Sequence, residues 1–191
     1  MPRIDADSVK EHNALLRQRV FDAFATLMAE RSFDAVTMAA LAERAGLGRT
    51  SIYHHFADRE AVLVAFASHE TAAYVDQLRT ALESAADPVA ELRTYVRHQL
   101  DAGEQFHMGL GRAVAAHLSE QARLEIREHV LAVEDVLRGI LGRGAEAGLL
   151  VVDDVDATIA LVHSCLGARG LPPATVESFV LRAVGAGQVS G

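Results

Sequence analysis

The stretch from Thr37 to Phe56 constrains the fold of this chain more than any other segment. A small apolar stripe precedes Gly46, and a second short run with helical spacing begins near Arg49. Thr37 stands where its side-chain oxygen can cap the first helix, and Gly46 can end that helix because glycine enters the left-handed backbone region without a Cβ clash. Two short helices joined by a tight turn indicate a helix-turn-helix, whose second helix enters the DNA major groove.

The second helix of this pair carries polar side chains at the positions outside its apolar stripe. They are Arg49, Thr50, Ser51, Tyr53, His54 and His55. Arginine can read guanine or hold a phosphate, and threonine can meet a thymine methyl group. Tyrosine and histidine more often hold phosphate oxygens, which position a protein without reading sequence. The alternative interpretation is the solvated polar face of a small helical domain.

The charge of the chain is distributed unevenly. The net charge is −8, but residues 1–60 carry 8 Lys or Arg against 9 Asp or Glu, a net of −1. The acidity therefore lies almost wholly beyond residue 60. Because a DNA-binding face needs local positive groups rather than a basic protein, this distribution is compatible with a nucleic-acid partner.

The first 65 residues resemble the N-terminal DNA-binding domain of the TetR family of transcriptional regulators. The matching motifs are F-x-x-V-T at 33–37, L-A-E-R-A-G-L at 41–47, S-I-Y-H-H-F at 51–56 and D-R-E-A-V-L at 58–63. Two positions depart from the family pattern. The family usually has Ser or Thr where Gly48 stands, so a hydroxyl contact with phosphate is absent here. The family also prefers a small residue where Thr50 stands, and the branched hydroxyl of Thr50 is expected to alter base readout.

The resemblance implies an all-α chain of about nine helices in two domains. Residues 1–58 would form the helix-turn-helix DNA-binding domain, and residues 59–191 a helical ligand-binding and dimerisation domain. At the position of Arg59 the family usually has a lysine that meets phosphate, and arginine can do the same. The DNA-binding set expected on this basis is Thr37, Arg49, Thr50, Ser51, Tyr53, His54, His55 and Arg59.

The second domain holds residues that suit a pocket for a small-molecule effector, as the resemblance implies. Such pockets combine apolar walls with few polar groups. The candidate lining residues are Tyr95, Gln99, Phe106, His107, Met108, Arg112 and His129. Core packing or solvent exposure is the alternative for each of them, and His163 is expected to be a hydrogen-bonded core or interface histidine.

The last part of the chain predicts two helices with apolar stripes. The stripes are Val155, Ile159, Val162 and Leu166 in one helix and Val176, Phe179, Val180 and Val184 in the other. In the family the last two helices pair with their copies in a four-helix interface. The resemblance therefore implies a homodimer, with these residues at the interface.

Other chemistries lack support in the sequence. No histidine pair has metal-site spacing, and there is no glycine-rich phosphate loop or nucleophile elbow, so we expect no metal, no cofactor and no enzymatic activity. The single cysteine, Cys165, excludes an intrachain disulfide and favours a reducing compartment. With no signal peptide and no uncharged apolar stretch of about 20 residues, a cytoplasmic protein without a membrane partner is expected.

These observations predict a ligand-responsive transcriptional regulator. The resemblance implies a repressor that binds a pseudo-palindromic double-stranded DNA operator as a dimer and is released by a small molecule. A transcriptional activator is one alternative. A helical small-molecule binding protein that does not bind an operator is the other.

Overall fold

The computed structural model describes residues 6–106, 118–168 and 170–186, and it is all-α, as predicted. Within those ranges there are eight α-helices and no strand. They are α1 (Ala6–Glu30), α2 (Met38–Arg44), α3 (Arg49–His55), α4 (Arg59–Leu82), α5 (Pro88–Phe106), α6 (Glu120–Glu146), α7 (Val155–Leu166) and α8 (Pro173–Ala183), with a short 3-10 helix at Phe33–Ala35. A ninth helix, expected between α5 and α6, lies outside the described residues.

Side-chain caps set the starts of two helices, and the cap at Thr37 is the one that the sequence predicted. The Thr37 hydroxyl accepts a hydrogen bond from the Ala40 amide at 3.2 Å. The Asp87 carboxylate accepts one from the Ala90 amide at 2.8 Å, and Pro88 is the first residue of α5. These contacts satisfy amides of the first turn that have no partner within the helix.

Contacts divide the described residues into two compact units. Unit 1 comprises the described residues up to His69 together with 118–126, and unit 2 comprises the described residues of 70–107 and 127–191. The chain thus divides inside α4, and α6 also contributes to both units. The two-domain organisation expected from the sequence, with its boundary at residue 58, stays a prediction.

Unit 1 has an aromatic-rich core formed by α1, the helix-turn-helix and the first turns of α4 and α6. Its fully buried side chains include Phe24, Leu27, Leu41, Ile52 and Leu63. Leu118, just before α6, and Ala122, in its first turn, belong to this core. The Ser119 amide also donates to both Glu60 carboxylate oxygens, at 3.3 Å each, which ties the start of α6 to α4.

Unit 2 packs α5 against α7 and α8 around a second core. The most completely buried side chains are Leu78, Leu92, Tyr95, Val96, Leu137, Ile140 and Leu141. Ion pairs at the surface join the same helices: Glu177 of α8 meets Arg97 of α5 at 2.6 Å. Arg138 of α6 meets Asp156 of α7, also at 2.6 Å.

The apolar stripes of α7 and α8 point mainly into unit 2, and the interface expected from the sequence stays a prediction. Five of the eight stripe residues are buried in the unit's own core, namely Ile159, Val162, Val176, Val180 and Val184. Val155 and Leu166 are half-buried, and Phe179 is 55% exposed. Helical spacing identifies an apolar face but not what covers it, so it does not separate an intrachain core from a dimer surface.

None of the helices in the described ranges is both long enough and apolar enough to cross a membrane.

Candidate nucleic-acid interface

Helix α3 presents the polar residues singled out in the sequence on one exposed surface. Its apolar side chains point into unit 1, where Ile52 and the C-capping Phe56 are buried. Arg49, Thr50, Tyr53 and His54 are exposed, and Ser51 and His55 are half-buried. The structure therefore exposes four of the six predicted α3 residues on the outer part of one short helix, where base edges and phosphates can be reached, and places the other two nearer the core.

The turn before α3 fixes the orientation of this helix. Gly46 has φ +63°, the Leu47 amide donates to Ala42 O at 2.8 Å, and the Gly46 amide donates to Glu43 O at 3.0 Å. This is a Schellman motif, which satisfies the last carbonyls of α2. A Cβ on Gly46 would lie 2.6 Å from the Arg19 guanidinium as well as requiring a strained backbone. The predicted role of Gly46 in ending α2 is confirmed.

Three arginines of the N-terminal part of unit 1, α1 to α3, here called the head, contact protein groups around the helix-turn-helix. Arg19 of α1 donates to Gly46 O at 3.0 Å, within the turn. The Arg17 guanidinium lies 5.6 Å from the centre of the Phe56 ring, at the end of α3. Arg44 makes two 2.9 Å hydrogen bonds with the Glu30 carboxylate and thereby joins α2 to α1.

The Arg44–Glu30 pair also shifts the titration of both groups. The hydrogen bonds from Arg44 lower the pKa of Glu30, and those to Glu30 raise the pKa of Arg44. Both groups are solvent-exposed, so the pair contributes orientation more than stability. Arg44 and Arg31 both pair with this one carboxylate, and Arg49 is the exposed arginine at the start of α3.

Thr37 and Arg59, the two predicted DNA contacts outside α3, have partners within unit 1. Thr37 is exposed and uses its hydroxyl to cap α2. Arg59 directs Nη1 towards the carbonyl oxygens of residues 33, 34 and 36, with the shortest distance, 2.8 Å, to Asp34 O. Its guanidinium carbon also lies 4.8 Å from the centre of the Phe33 ring.

Gly48 is the N-cap of α3 and makes no side-chain cap. Its φ of −67° and ψ of 147° are open to any residue, and a Cβ placed there would have no atom within 4 Å. Neither backbone strain nor crowding within the protein therefore requires glycine at this position. The departure from the family pattern lies at the exposed start of α3.

The residues of the predicted second domain that were expected to line a pocket lie only partly within the ranges that the structure describes. Tyr95 is fully buried, and its hydroxyl lies 2.9 Å from both Gln99 Nε2 and His163 Nε2. His129 is half-buried on α6, and its Nδ1 has no hydrogen-bond partner in the described part of the chain. His107, Met108 and Arg112 lie outside the described residues, and of Phe106 only the backbone is described.

A partly buried polar chain links three helices of unit 2. Because Gln99 Nε2 can only donate, the buried Tyr95 O–H is left to donate to His163 Nε2, and His163 Nδ1 faces Glu134 Oε1 at 3.6 Å. Burial raises the pKa of the Tyr95 hydroxyl. Burial also lowers the pKa of His163, against the opposing effect of Glu134. No local pattern in the sequence indicates the pairing between Tyr95 and His163, which lie 68 positions apart.

A metal centre finds no support in the described ranges, which contain no group of three or more His, Cys, Asp or Glu side chains able to hold an ion.

Comparison with known proteins identifies the head. The family model for bacterial regulatory proteins of the tetR family matches residues 20–66, which include α2, the turn and α3. The matched part of the chain is thus similar to the N-terminal part of the tetR family of bacterial regulatory proteins. The N-terminal region of the chain is therefore a helix-turn-helix DNA-binding domain, and the resemblance seen in the sequence is confirmed.

A curated relative shares this part of the chain. The HTH-type transcriptional repressor Rv1474c of Mycobacterium tuberculosis is 32% identical over 71 residues, which are 37% of this chain and 36% of that protein. The match thus spans about a third of the relative's length. The matched family and this relative are regulators of transcription, not enzymes.

Solved structures share the fold over most of the chain. The TetR-family regulator PfmR of Thermus thermophilus has a TM-score of 0.67 and 24% identity, covering 88% of this chain and 98% of that one. FadR of Bacillus subtilis, solved in complex with stearoyl-CoA, has a TM-score of 0.67 and 18% identity, covering 87% of this chain and 88% of that one. At these identities the likeness concerns the fold alone.

Proposed function

We propose that this protein is a TetR-type, ligand-responsive transcriptional regulator that binds a pseudo-palindromic DNA operator as a homodimer. The observation that carries the proposal is the exposed surface of α3. Six polar side chains lie on a helix of seven residues whose start is fixed by the Schellman turn and whose end is anchored by buried Phe56. A helix held in this way can present donors and acceptors to the major groove in one orientation.

The homodimer part of the proposal rests on the outward faces of α7 and α8. On α7 the exposed positions Ala157, Ala160, Leu161 and Ser164 follow one another at helical spacing and carry no charge. On α8 the aromatic ring of Phe179 is exposed. Small and apolar side chains allow helices to pack closely, so these faces are better candidates for the interface than the buried stripes.

A dimer would place two copies of α3 in successive major grooves, about 34–36 Å apart. A repressor is proposed rather than an activator because Rv1474c, which matches the head, is named a repressor. A small molecule that binds unit 2 would release the operator if it favours a conformation in which the two heads no longer fit. FadR, a protein of the same fold, was solved in complex with stearoyl-CoA, which supports a small-molecule effector for this protein.

DNA binding is tested with the full-length chain. We expect selection from a random duplex library to yield a pseudo-palindromic sequence, and fluorescence anisotropy to show affinity that falls steeply with salt. Failure to enrich any sequence, at low salt and without ligand, would favour the alternative of a small-molecule binding protein that does not bind an operator.

The dimer is tested by analytical ultracentrifugation of Leu161→Asp. Leu161 is 67% exposed on α7, so a charge there does not disturb the core but would lie in the proposed interface. We expect a monomer and much weaker operator binding. The matched control is Leu15→Asp, since Leu15 is 66% exposed on α1, and it should stay dimeric. A dimer that survives Leu161→Asp would show that this face is not the interface.

The effector is sought by thermal shift, with stearoyl-CoA and a library of small metabolites as the probes. A ligand that binds the folded state raises the melting temperature. A compound that raises it should also release the selected DNA in the anisotropy assay. If compounds stabilise the protein yet leave DNA binding unchanged, the proposed response to ligand is wrong.

A further inference from the structure

Arg59, the first residue of α4, reaches back to the loop before α2. Its Nη1 lies 3.4 Å from Phe33 O, 2.8 Å from Asp34 O and 3.4 Å from Val36 O. Its Nη2 lies 3.6 Å from the Asp34 carboxylate, and its guanidinium carbon lies 4.8 Å from the centre of the Phe33 ring. The side chain is 35% exposed. One cation thus contacts three carbonyls, a carboxylate and an aromatic ring of a single short loop.

This loop ends where α2 begins. The carbonyls at the end of a short helix have few partners within that helix, and the Arg59 guanidinium supplies a donor to those of the 3-10 helix Phe33–Ala35. The side chains of Phe33 and Val36 anchor the loop because both are buried in the core of unit 1. The residue that follows the loop is Thr37, the N-cap of α2. Arg59 therefore holds the backbone that leads directly into the helix-turn-helix.

We propose that Arg59 is a positioning residue for DNA recognition, which holds the loop 33–36 and so sets the orientation of α2 and α3, and that it does not contact phosphate. The proposal rests on the proposed function and deepens it. It replaces the role that the sequence suggested for Arg59. Because α2 and α3 are joined by a rigid Schellman turn, a displaced start of α2 displaces α3 with it.

A change in the orientation of α3 should affect base readout more than the overall affinity for DNA. Recognition side chains must be held within about 0.5 Å of the productive geometry, whereas non-specific attraction to phosphates tolerates larger shifts. Loss of the Arg59 contacts with the loop 33–36 should therefore lower the affinity for the specific sequence and leave the affinity for non-specific DNA nearly unchanged. A phosphate contact would behave in the opposite way, since it supports all sequences alike and contributes to the salt dependence.

The experiment compares Arg59→Lys and Arg59→Met with wild type in the full-length protein. The DNA probes are the duplex selected by the wild-type protein and a scrambled duplex of equal length. Affinities are measured at several salt concentrations, at a temperature where circular dichroism shows each variant folded. Lysine keeps the charge but offers a compact ammonium in place of the planar fork that reaches the three carbonyls. Arg49→Gln is the control for loss of an exposed side chain that is proposed to contact bases directly.

We expect both Arg59 variants to lose about tenfold in the ratio of specific to non-specific affinity, comparable to one lost hydrogen bond of a charged group. Their salt slopes should equal that of wild type, because neither substitution removes a phosphate contact, whereas Arg49→Gln should change which bases are preferred. Hydrogen exchange of the amides in residues 33–40 should also become faster in both Arg59 variants.

Three results would overturn the assignment. The first is wild-type binding by Arg59→Lys together with a reduced salt slope in Arg59→Met, which indicates a phosphate contact. The second is an unchanged specificity ratio in both variants. The third is unchanged hydrogen exchange in residues 33–40, which can be judged even if Arg59→Met fails to fold, because Arg59→Lys suffices. If the wild-type protein enriches no DNA at all, the proposed function fails first, and that result is distinct from the other three.

Discussion

Replacing Tyr95 by phenylalanine removes one hydroxyl from a fully buried side chain of unit 2 and tests the polar chain that joins α5, α6 and α7. The hydroxyl has two hydrogen-bond partners at 2.9 Å, Gln99 and His163. A neutral hydrogen bond contributes about 0.5–1.5 kcal/mol net, and a partner left unsatisfied in a buried place costs about 1–3 kcal/mol. His163 is 28% exposed and can recover part of that loss through water. We expect the free energy of unfolding to fall by about 2 kcal/mol at pH 7.5.

The loss of stability in Tyr95→Phe should depend on pH, because His163 accepts a hydrogen bond from the Tyr95 hydroxyl only while the imidazole is neutral. Burial lowers the pKa of His163 in the folded protein below the ordinary histidine value of about 6.5, with Glu134 acting in the opposite direction. The unfolded chain therefore binds the proton first as pH falls. The contribution of His163 to stability is complete above about pH 6.5 and is lost as pH falls from there towards the lower pKa of the folded state.

Tyr95→Phe should weaken this dependence, since protonation of His163 no longer breaks a hydrogen bond. Thermal unfolding followed by circular dichroism at pH 7.5 and 5.5 gives the comparison. For a chain of this length we expect a melting temperature about 4–8 °C lower at pH 7.5, and a smaller difference at pH 5.5. The control is Tyr53→Phe, which removes a hydroxyl from a tyrosine that is 47% exposed and should change stability little at either pH. A loss that is equal at both pH values, or no loss at all, would refute the chain as described.

Three glycines give further tests of the backbone and packing. Gly48→Ser adds a capping hydroxyl to α3 where a Cβ meets no atom within 4 Å, so the free energy of unfolding should rise by about 0.5–1 kcal/mol in urea titrations, and DNA should bind more tightly. Lower stability there would contradict the open geometry. Gly144→Ala should cost about 1–3 kcal/mol by the same measurement, because a Cβ would lie 2.5 Å from Cγ of Leu150. Gly142→Ala on the same helix meets nothing within 4 Å and should be neutral or stabilising; equal effects of the two alanines would contradict this packing.

The head could be predicted from sequence because local signals determine most of it. Thr37 caps α2, Gly46 ends it in the left-handed region, and the apolar spacing around Ile52 leaves the polar side chains of α3 outside. Each of these features depends on residues within one or two turns of each other. Short-range chemistry of this kind can be read from a single sequence.

Features that depend on distant pairs could not be read in the same way. Arg59 has the residue type of a phosphate ligand, and only the fold shows its guanidinium at carbonyls 23 to 26 positions earlier. The stripes of α7 and α8 have the period of a buried face, but a periodicity does not tell whether the same chain or a second copy covers that face. For the same reason Ile159 and Val180 were expected at an interface and lie in the core.

The central claim is that α3 reads bases, and the most direct measurement is the sequence preference of α3 variants. Arg49→Ala and Thr50→Ala are compared with Tyr53→Ala by repeating the duplex selection with each full-length protein. We expect the Arg49 and Thr50 variants to prefer different bases at particular operator positions, with losses of about 1–3 kcal/mol for the original base. Tyr53→Ala should weaken binding to all sequences alike. Unchanged preferences in the Arg49 and Thr50 variants would contradict base readout by α3.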